Sequence, residues 1–407
     1  STADVLVAFP LSNVERIEVV YGPASSVYGA NAFMGVINVI TRSDAETSGA
    51  KAETNLRVGT NHRYIADATA FYKKDDLRVS LTARIEHGNL RDDGAFDRFE
   101  FTKDKYYASE GLWGGYASNR HIGGRFSSPI QHRGADLRAY YHGAELGVQY
   151  FSVKNGYGYT YPGDKGQAHP TWEKVDYAAY IRYRFDITDK VSSSTLLRYR
   201  GSDIPGSNFW LGQWGSDPRT LDFSYWQSLN SSISVFQDFE YRVLPSVTLL
   251  GGLKYEHKDL QKSYTWTFPQ DAGGNYYPRP ADTNPASLPY PRPPSDTEEG
   301  WNRIKTEDKG GYLQARWSFL ADHAVHLGGR IDHNSEYGEA VTLRGGYVGR
   351  FGRFVTKALY GEAFQEPTAR FLYGGWAGSG ADPDLSPEKS RTVEINVSHS
   401  LPFLVNL

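Results

Sequence analysis

The 407-residue chain contains no cysteine, which excludes a disulfide scaffold, a thiolate zinc site, an iron–sulfur cluster and a thiol nucleophile together. It also has no run near the ~18–20 consecutive apolar residues that a membrane-spanning helix needs, and its mean hydropathy is −0.55. Charge of one sign is not in excess: 44 Lys and Arg stand against 47 Asp and Glu, a net −3 that gives no reason to expect a nucleic-acid surface. Methionine occurs once, and Ser1 opens the chain without a charged and apolar leader behind it, so any export signal is expected to lie upstream or to have been removed. No Walker A motif, nucleophile elbow or His-Glu-x-x-His occurs. His142, Ser152 and Asp176 have no spacing that would assemble a triad, so no catalytic residue is assigned and an enzyme is not expected.

Aromatic residues are abundant, with 29 Tyr, 20 Phe and 9 Trp, and Tyr and Trp favour boundaries between apolar and wet surroundings. From about residue 50 onward, apolar and polar residues alternate strictly. Leu77, Val79, Leu81, Ala83 and Ile85 interleave with Arg78, Ser80, Thr82, Arg84 and Glu86. The same period-2 pattern returns around Ile181, Leu313, Leu327 and Ile395. The runs are often nine or more residues long. Tight polar connections at Asp189-Lys190, Pro245-Ser246, Asp322 and Gly352-Arg353 alternate with long aromatic-rich segments at about 87–134, 155–174, 201–218, 263–302 and 370–389. Short turns at one end and long loops at the other are the arrangement of an antiparallel transmembrane β-barrel, here with about fourteen strands. A soluble sandwich fits poorly, because the second face carries Arg, Glu and Lys on nearly every strand; a propeller would show a blade repeat, and none is visible.

The first forty residues differ. Residues 13–42 read as a short strand over 14–20, a Gly22-Pro23 turn, helical turns over 24–28, a stop at Gly29 and a second strand over 35–41. The series Val-Glu-Arg-Ile-Glu-Val, Gly-Pro, Tyr-Gly and Gly-Val-Ile-Asn-Val-Ile-Thr resembles the plug domain of TonB-dependent outer-membrane receptors. Near the other end, the segments beginning at Glu362 and Asp382 resemble a late strand, loop and strand of the same barrels. Tyr21 departs from the Arg that the family commonly places before Gly-Pro.

The resemblance implies a 22-stranded type of barrel. Residues 1–45 would be the C-terminal part of the plug and 46–407 a partial barrel, with further plug and strands outside this chain. It implies residence in the outer membrane of a Gram-negative bacterium, with lipid and the TonB energy-transducing complex as partners. It further implies active transport of a scarce bulky solute, with a ferric siderophore or other metal chelate as the first expectation. Cobalamin, haem or an oligosaccharide stands behind it, and a passive porin or adhesin is the alternative of a different class.

Two groups of site residues follow. Tyr157, Tyr159 and Tyr161, then Phe209, Trp210 and Trp214, then Phe371, Tyr373 and Trp376 are aromatic clusters on three loops that can stack on a planar or chelated ligand. Their alternative role is as interfacial belt residues. Glu15, Arg16, Glu18 and Arg42 of the plug are expected to need partners in the lumen, because an unpaired buried charge costs several kcal/mol. Glu362 and Glu394 are the wall carboxylates expected to pair with Arg16 and Arg42. The prolines between 268 and 294 make a stiff extended loop. No cofactor and no metal site is assigned; His87, His121, His132 and His169 are read as lone exposed histidines, and His323 and His326 fall on opposite strand faces.

Overall fold

The computed structural model describes residues 7–42, 48–89, 128–156, 171–212, 222–261, 264–268, 303–373 and 382–399. A single 3-10 turn at Leu11–Asn13 leads into strand β1 (Val14–Tyr21), a one-turn helix α1 (Ser25–Tyr28) and strand β2 (Gly35–Thr41). These bounds match the sequence pattern almost residue for residue. β1 and β2 pair antiparallel from Val14 opposite Thr41 to Tyr21 opposite Gly35. Gly35 has φ +150°, and a Cβ there would run into the carbonyl oxygen of Val20, so no side chain fits at the start of β2.

The remaining strands are β3 (Gly49–Val58), β4 (Tyr64–Lys74), β5 (Leu77–Asn89), β6 (Pro129–Tyr141), β7 (Ala144–Gly156), β8 (Thr171–Thr188), β9 (Val191–Gly212) and β10 (Asp222–Leu244). They continue with β11 (Val247–Gln261), β12 (Tyr264–Phe268), β13 (Arg303–Leu320), β14 (His323–Asn334), β15 (Gly338–Phe351), β16 (Phe354–Gln365) and β17 (Glu388–His399); helix α2 (Ala369–Tyr373) precedes β17. Fourteen strands form one path from β3 to β17, each antiparallel to its neighbours in chain order, while β12 branches off to pair with β10.

Two-residue turns close every second connection. At the β6–β7 turn, His142 and Gly143 both take positive φ, +43° and +81°, the backbone that matches strand twist in a two-residue hairpin. At the β8–β9 turn, Thr188 Oγ1 accepts the N–H groups of Lys190 (3.2 Å) and Val191 (3.1 Å).

Burial along the strands is the reverse of that in a soluble sheet. On β5, Ser80, Thr82, Arg84 and Glu86 are buried, whereas Leu81 and Ile85 are 48% and 52% exposed. On β14 and β15, Arg330, Asp332 and Thr342 are buried, while Leu327, Val341 and Leu343 face outward. Because one residue of slip would exchange the faces, hydrogen bonding among the inward groups fixes the register. Aromatic residues gather beside the tight turns: Tyr183 stacks on Phe185 at 5.5 Å between ring centres, Trp317 lies 5.3 Å from Phe319, and His323 contacts Phe351. An apolar band ending in aromatic residues is what the lipid interface selects. Among the described residues no helix is long and apolar enough to cross a membrane.

The ladders run farther than composition suggested. β9 continues through Pro205 to Gly212, inside the segment 201–218 expected to be a loop, and β12 lies within 263–302. The register between β9 and β10 shifts between Trp226 and Ser228, which leaves 205–207 out of the ladder. A proline is tolerated at such a bulge because its missing N–H is not required there.

Candidate functional site

The inward faces of the strands meet the 7–42 unit at two places. At the first, Ala8 and Phe9 form a small apolar core with Phe151 and Val153 of β7, with the Phe9 and Phe151 rings 5.6 Å apart. A Cβ on Gly134 of β6 would strike the carbonyl oxygen of Ala8, so the wall is glycine where the chain rests on it. Polar contacts surround this core. Arg42 holds Glu53 of β3 through both terminal nitrogens, at 2.8 and 3.1 Å, and also donates to the Ser12 carbonyl. Ser12 and Thr69 hydroxyls lie 3.2 Å apart, and Arg84 donates to the Phe9 carbonyl.

At the second place, the α1 region is fastened to the far end of β16. Ser25 Oγ accepts the N–H of Phe364 (3.1 Å) and donates to its carbonyl (3.3 Å). Asn31 stands in a left-handed conformation, φ +69°. It donates through its amide Nδ2 to Glu366 Oε1 (2.8 Å), accepts the Glu366 N–H (3.1 Å), and donates its own backbone N–H to the Phe364 carbonyl (3.0 Å). Glu366 is held in turn by Lys258 Nζ (2.8 Å) and the Tyr337 hydroxyl (3.3 Å), and Lys258 also pairs with Asp308. Gln314 donates to the Ser26 carbonyl at 3.4 Å. Among the inward charges paired alongside are Arg330 with Asp332 and Arg63 with Glu86.

Between β2 and strands β6–β11 lies a cavity of about 880 Å3 that Asn38 and Val39 border on one side. On β8 its lining extends from Lys174 to Arg182, roughly 26 Å of strand at ~3.3 Å per residue.

The plug-side charges are partnered differently from expectation. Arg16 binds Glu15 (2.7 Å) and Glu18 (2.8 Å) on its own strand instead of reaching Glu362. Residues two apart share a strand face, so a local partner needs no alignment between plug and wall. Arg16 and Asn38 together hold the Glu18 carboxyl below the usual carboxylate range. Glu362 is occupied by Arg391 (3.1 Å) and by the Leu343 N–H (3.0 Å). Arg42 does meet a wall carboxylate, but it is Glu53; Glu394 lies exposed on β17.

Of the loop aromatics, Tyr157, Tyr159, Tyr161, Trp214 and Trp376 lie outside the described residues. Phe209 and Trp210 are in β9, opposite Tyr225 and Ser224 of β10. Phe371 is exposed on α2 and Tyr373 ends that helix, at the same end of the sheet. His132 is not a lone exposed histidine: it is buried between Glu86 (3.0 Å) and Asn155 (2.9 Å). His121 and His169 lie outside the described residues, and among those described no group of His and carboxylates could hold a metal ion. Sequence reasoning missed Ser25, Asn31 and Glu366. The only signal was Asn31, a residue that tolerates left-handed backbone, two positions after a glycine stop.

Residues 1–36 match the family described as TonB-dependent Receptor Plug Domain, and residues 223–405 match TonB dependent receptor-like, beta-barrel. The vitamin B12 transporter BtuB of Vibrio vulnificus is 24% identical over 97% of this chain, which spans 53% of that relative. A ferric enterobactin receptor of Pseudomonas aeruginosa shares the fold with a TM-score of 0.62 at 15% identity, over 97% of this chain and 57% of the other. The siderophore receptor PirA of Acinetobacter baumannii gives 0.57 at 16% identity, over 97% and 56%. The chain thus spans little more than half the length of these relatives.

Proposed function

The chain belongs to the TonB-dependent receptor family, and from that premise we propose that it works in the outer membrane of a Gram-negative bacterium in active uptake of a ferric siderophore or similar metal chelate. In this reading residues 1–45 are plug and 46–407 barrel, and force from the TonB complex displaces the plug so that solute can pass. The observation that carries the reading is an apolar-out, polar-in sheet whose inner wall is bonded to the plug at two separate places, beside β3–β7 and at the end of β16. A passive pore has no use for such fastening. The aromatic residues at the loop end, Phe371 and Tyr373 on α2 with Phe209 and Trp210 on β9, are the proposed ligand surface; Tyr157, Tyr159, Tyr161, Trp214 and Trp376 belong to the same proposal.

Relatives support a chelate, since the structural neighbours include a ferric enterobactin receptor and a siderophore receptor. A cobalamin reading draws on the BtuB relative. The test is uptake of labelled ferric chelates and of cobalamin by a strain deleted for the gene, grown under iron limitation. Loss of uptake of one ferric chelate, restored by complementation, is the expected result. Unchanged uptake of every chelate with loss of cobalamin uptake would transfer the assignment to the vitamin.

A further inference from the structure

We propose that the 7–42 unit is a flap, hinged beside β3–β7 and latched at the end of β16, so that opening of the lumen, in the reading above on which this rests, begins with release of the α1 end while the Arg42 end stays bound.

The two ends are held by different chemistry. At the β3 end the unit contributes a full charge. Arg42 meets Glu53 at two points, its guanidinium lies over the Phe71 ring at 5.1 Å, and Lys51 Nζ stands 2.8 Å from the same carboxylate. The Arg42 N–H donates to the Asn13 carbonyl (2.8 Å), which closes the β1–β2 hairpin where the chain leaves it for β3. The apolar cluster of Ala8, Phe9, Phe151 and Val153 lies at this end too. Parting these surfaces would separate two partly buried opposite charges and expose an aromatic pair, and both changes are costly.

At the β16 end every group that the unit contributes is neutral: the Ser25 hydroxyl, the Ser26 carbonyl, and the side-chain amide and backbone N–H of Asn31. The charge bound there, Glu366, belongs to the wall and is neutralised by the wall. Its Oε2 takes Lys258 Nζ and the Tyr337 hydroxyl, and Oε1 faces Asn31. Arg330, whose guanidinium approaches Gly29, is likewise held by Asp332 through two nitrogens, each at 2.6 Å. Departure of α1 therefore strands no ion. Glu366 keeps its cation, Arg330 keeps its anion, and water can satisfy the freed hydroxyl and amide.

Between the ends runs a continuous ladder, from Val14 opposite Thr41 at the hinge to Tyr21 opposite Gly35 beside α1. At ~3.3 Å per residue it is an arm of roughly 26 Å. An attachment that leaves no charge unpaired on either surface can open and reclose, whereas one whose parting strands charges stays shut, so the arm swings from the β3 end.

Because the chain has no cysteine, single introduced thiols report the opening of each end. Ala24→Cys puts a buried thiol beside the latch and Ala8→Cys puts one in the hinge cluster. Ala363→Cys and Val153→Cys, buried on the facing wall, replace them should either fail to fold. The purified chain in detergent micelles is reacted with a maleimide and the rate is followed by mass. The latch thiol should react at least ~10-fold faster than the hinge thiol, because local opening exposes it while the wall stays folded. Adding Asn31→Gly should speed the latch reaction roughly 30-fold and leave the hinge reaction within about threefold.

Equal rates at the two ends, or equal acceleration of both by Asn31→Gly, would overturn the flap, since the unit would then leave the wall as one body. The labelling needs neither solute nor cells and is decided apart from the uptake assay. A chain that shows the faster latch but supports no uptake would lose the transport reading and keep the hinge and latch.

Discussion

The fastening of the plug through Asn31 can be tested by removing its side chain. Asn31→Gly deletes the bond to the Glu366 carboxylate and the acceptor for the Glu366 N–H while preserving the left-handed backbone. A bond to a charged group contributes ~1.5–3 kcal/mol and a neutral one ~0.5–1.5; Asn31 is exposed, so the low end applies, about 2 kcal/mol in all. Asn31→Ala adds about 1 kcal/mol, because a β-carbon is strained at φ +69°.

These values correspond to opening of the 22–31 segment roughly 30-fold more often in the glycine variant and roughly 100-fold in the alanine variant, at ~1.4 kcal/mol per tenfold. Native-state hydrogen exchange of the Tyr28, Gly29 and Asn31 amides reads the ratio directly, since these N–H groups bond to Ala24, Ser25 and Phe364 carbonyls. The β8–β9 ladder serves as internal reference. Exchange within threefold of wild type in both variants would refute the latch. Equal acceleration across the β8–β9 ladder would show instead that the whole molecule had been weakened.

Gly134→Val places a side chain on the Ala8 carbonyl and should destabilise by about 1–3 kcal/mol, lowering the melting temperature in detergent, whereas Ala135→Val, the next residue, should be silent. Leu327→Arg on the outward face of β14 should cost ~2–4 kcal/mol in urea titrations of the chain folded into lipid vesicles, and an unchanged curve would mean that this face does not meet lipid. The Glu18 carboxyl is held below its ordinary pKa by Arg16, so its contribution is present above pH ~4.5 and is lost as pH falls through the depressed folded value. Protection factors of β1–β2 amides, which correct for the slower intrinsic exchange in acid, should accordingly fall on acidification in the wild type, and this pH dependence should shrink in Glu18→Gln.

The wall was legible in the sequence because a strand with lipid on one side and water on the other must alternate, as the run from Leu77 to Glu86 does. The two-residue turns at Asp189-Lys190, Pro245-Ser246 and Gly352-Arg353 were legible because polar, proline and glycine residues interrupt the alternation there, and the α1 unit because Gly22, Gly29 and Gly35 punctuate it. The ends of β9 and β12 were not: Gly201, Pro205 and Gly206 read locally as a loop, and only the partner strand β10 supplies the ladder that overrides them. Nor could charge pairing across the lumen be read. Arg16 finds Glu18 on its own strand, and Arg42 finds Glu53 eleven residues on, because near neighbours in the chain reach each other at small entropic cost.

The hydrogen bonds between Asn31 and Glu366 join positions 335 residues apart in the chain. Closing a loop of that length costs about 5 kcal/mol of chain entropy before any contact repays it, whereas every second connection in the wall closes across two residues. The order of assembly follows: strands can zip to their neighbours as they become available, and the clasp at the end of β16 is reached only after thirteen wall strands lie in register. The α1 end of the 7–42 unit is thus secured late, long after its other end has met β3 and β7, and a wall that stalls partway holds that unit by one end alone.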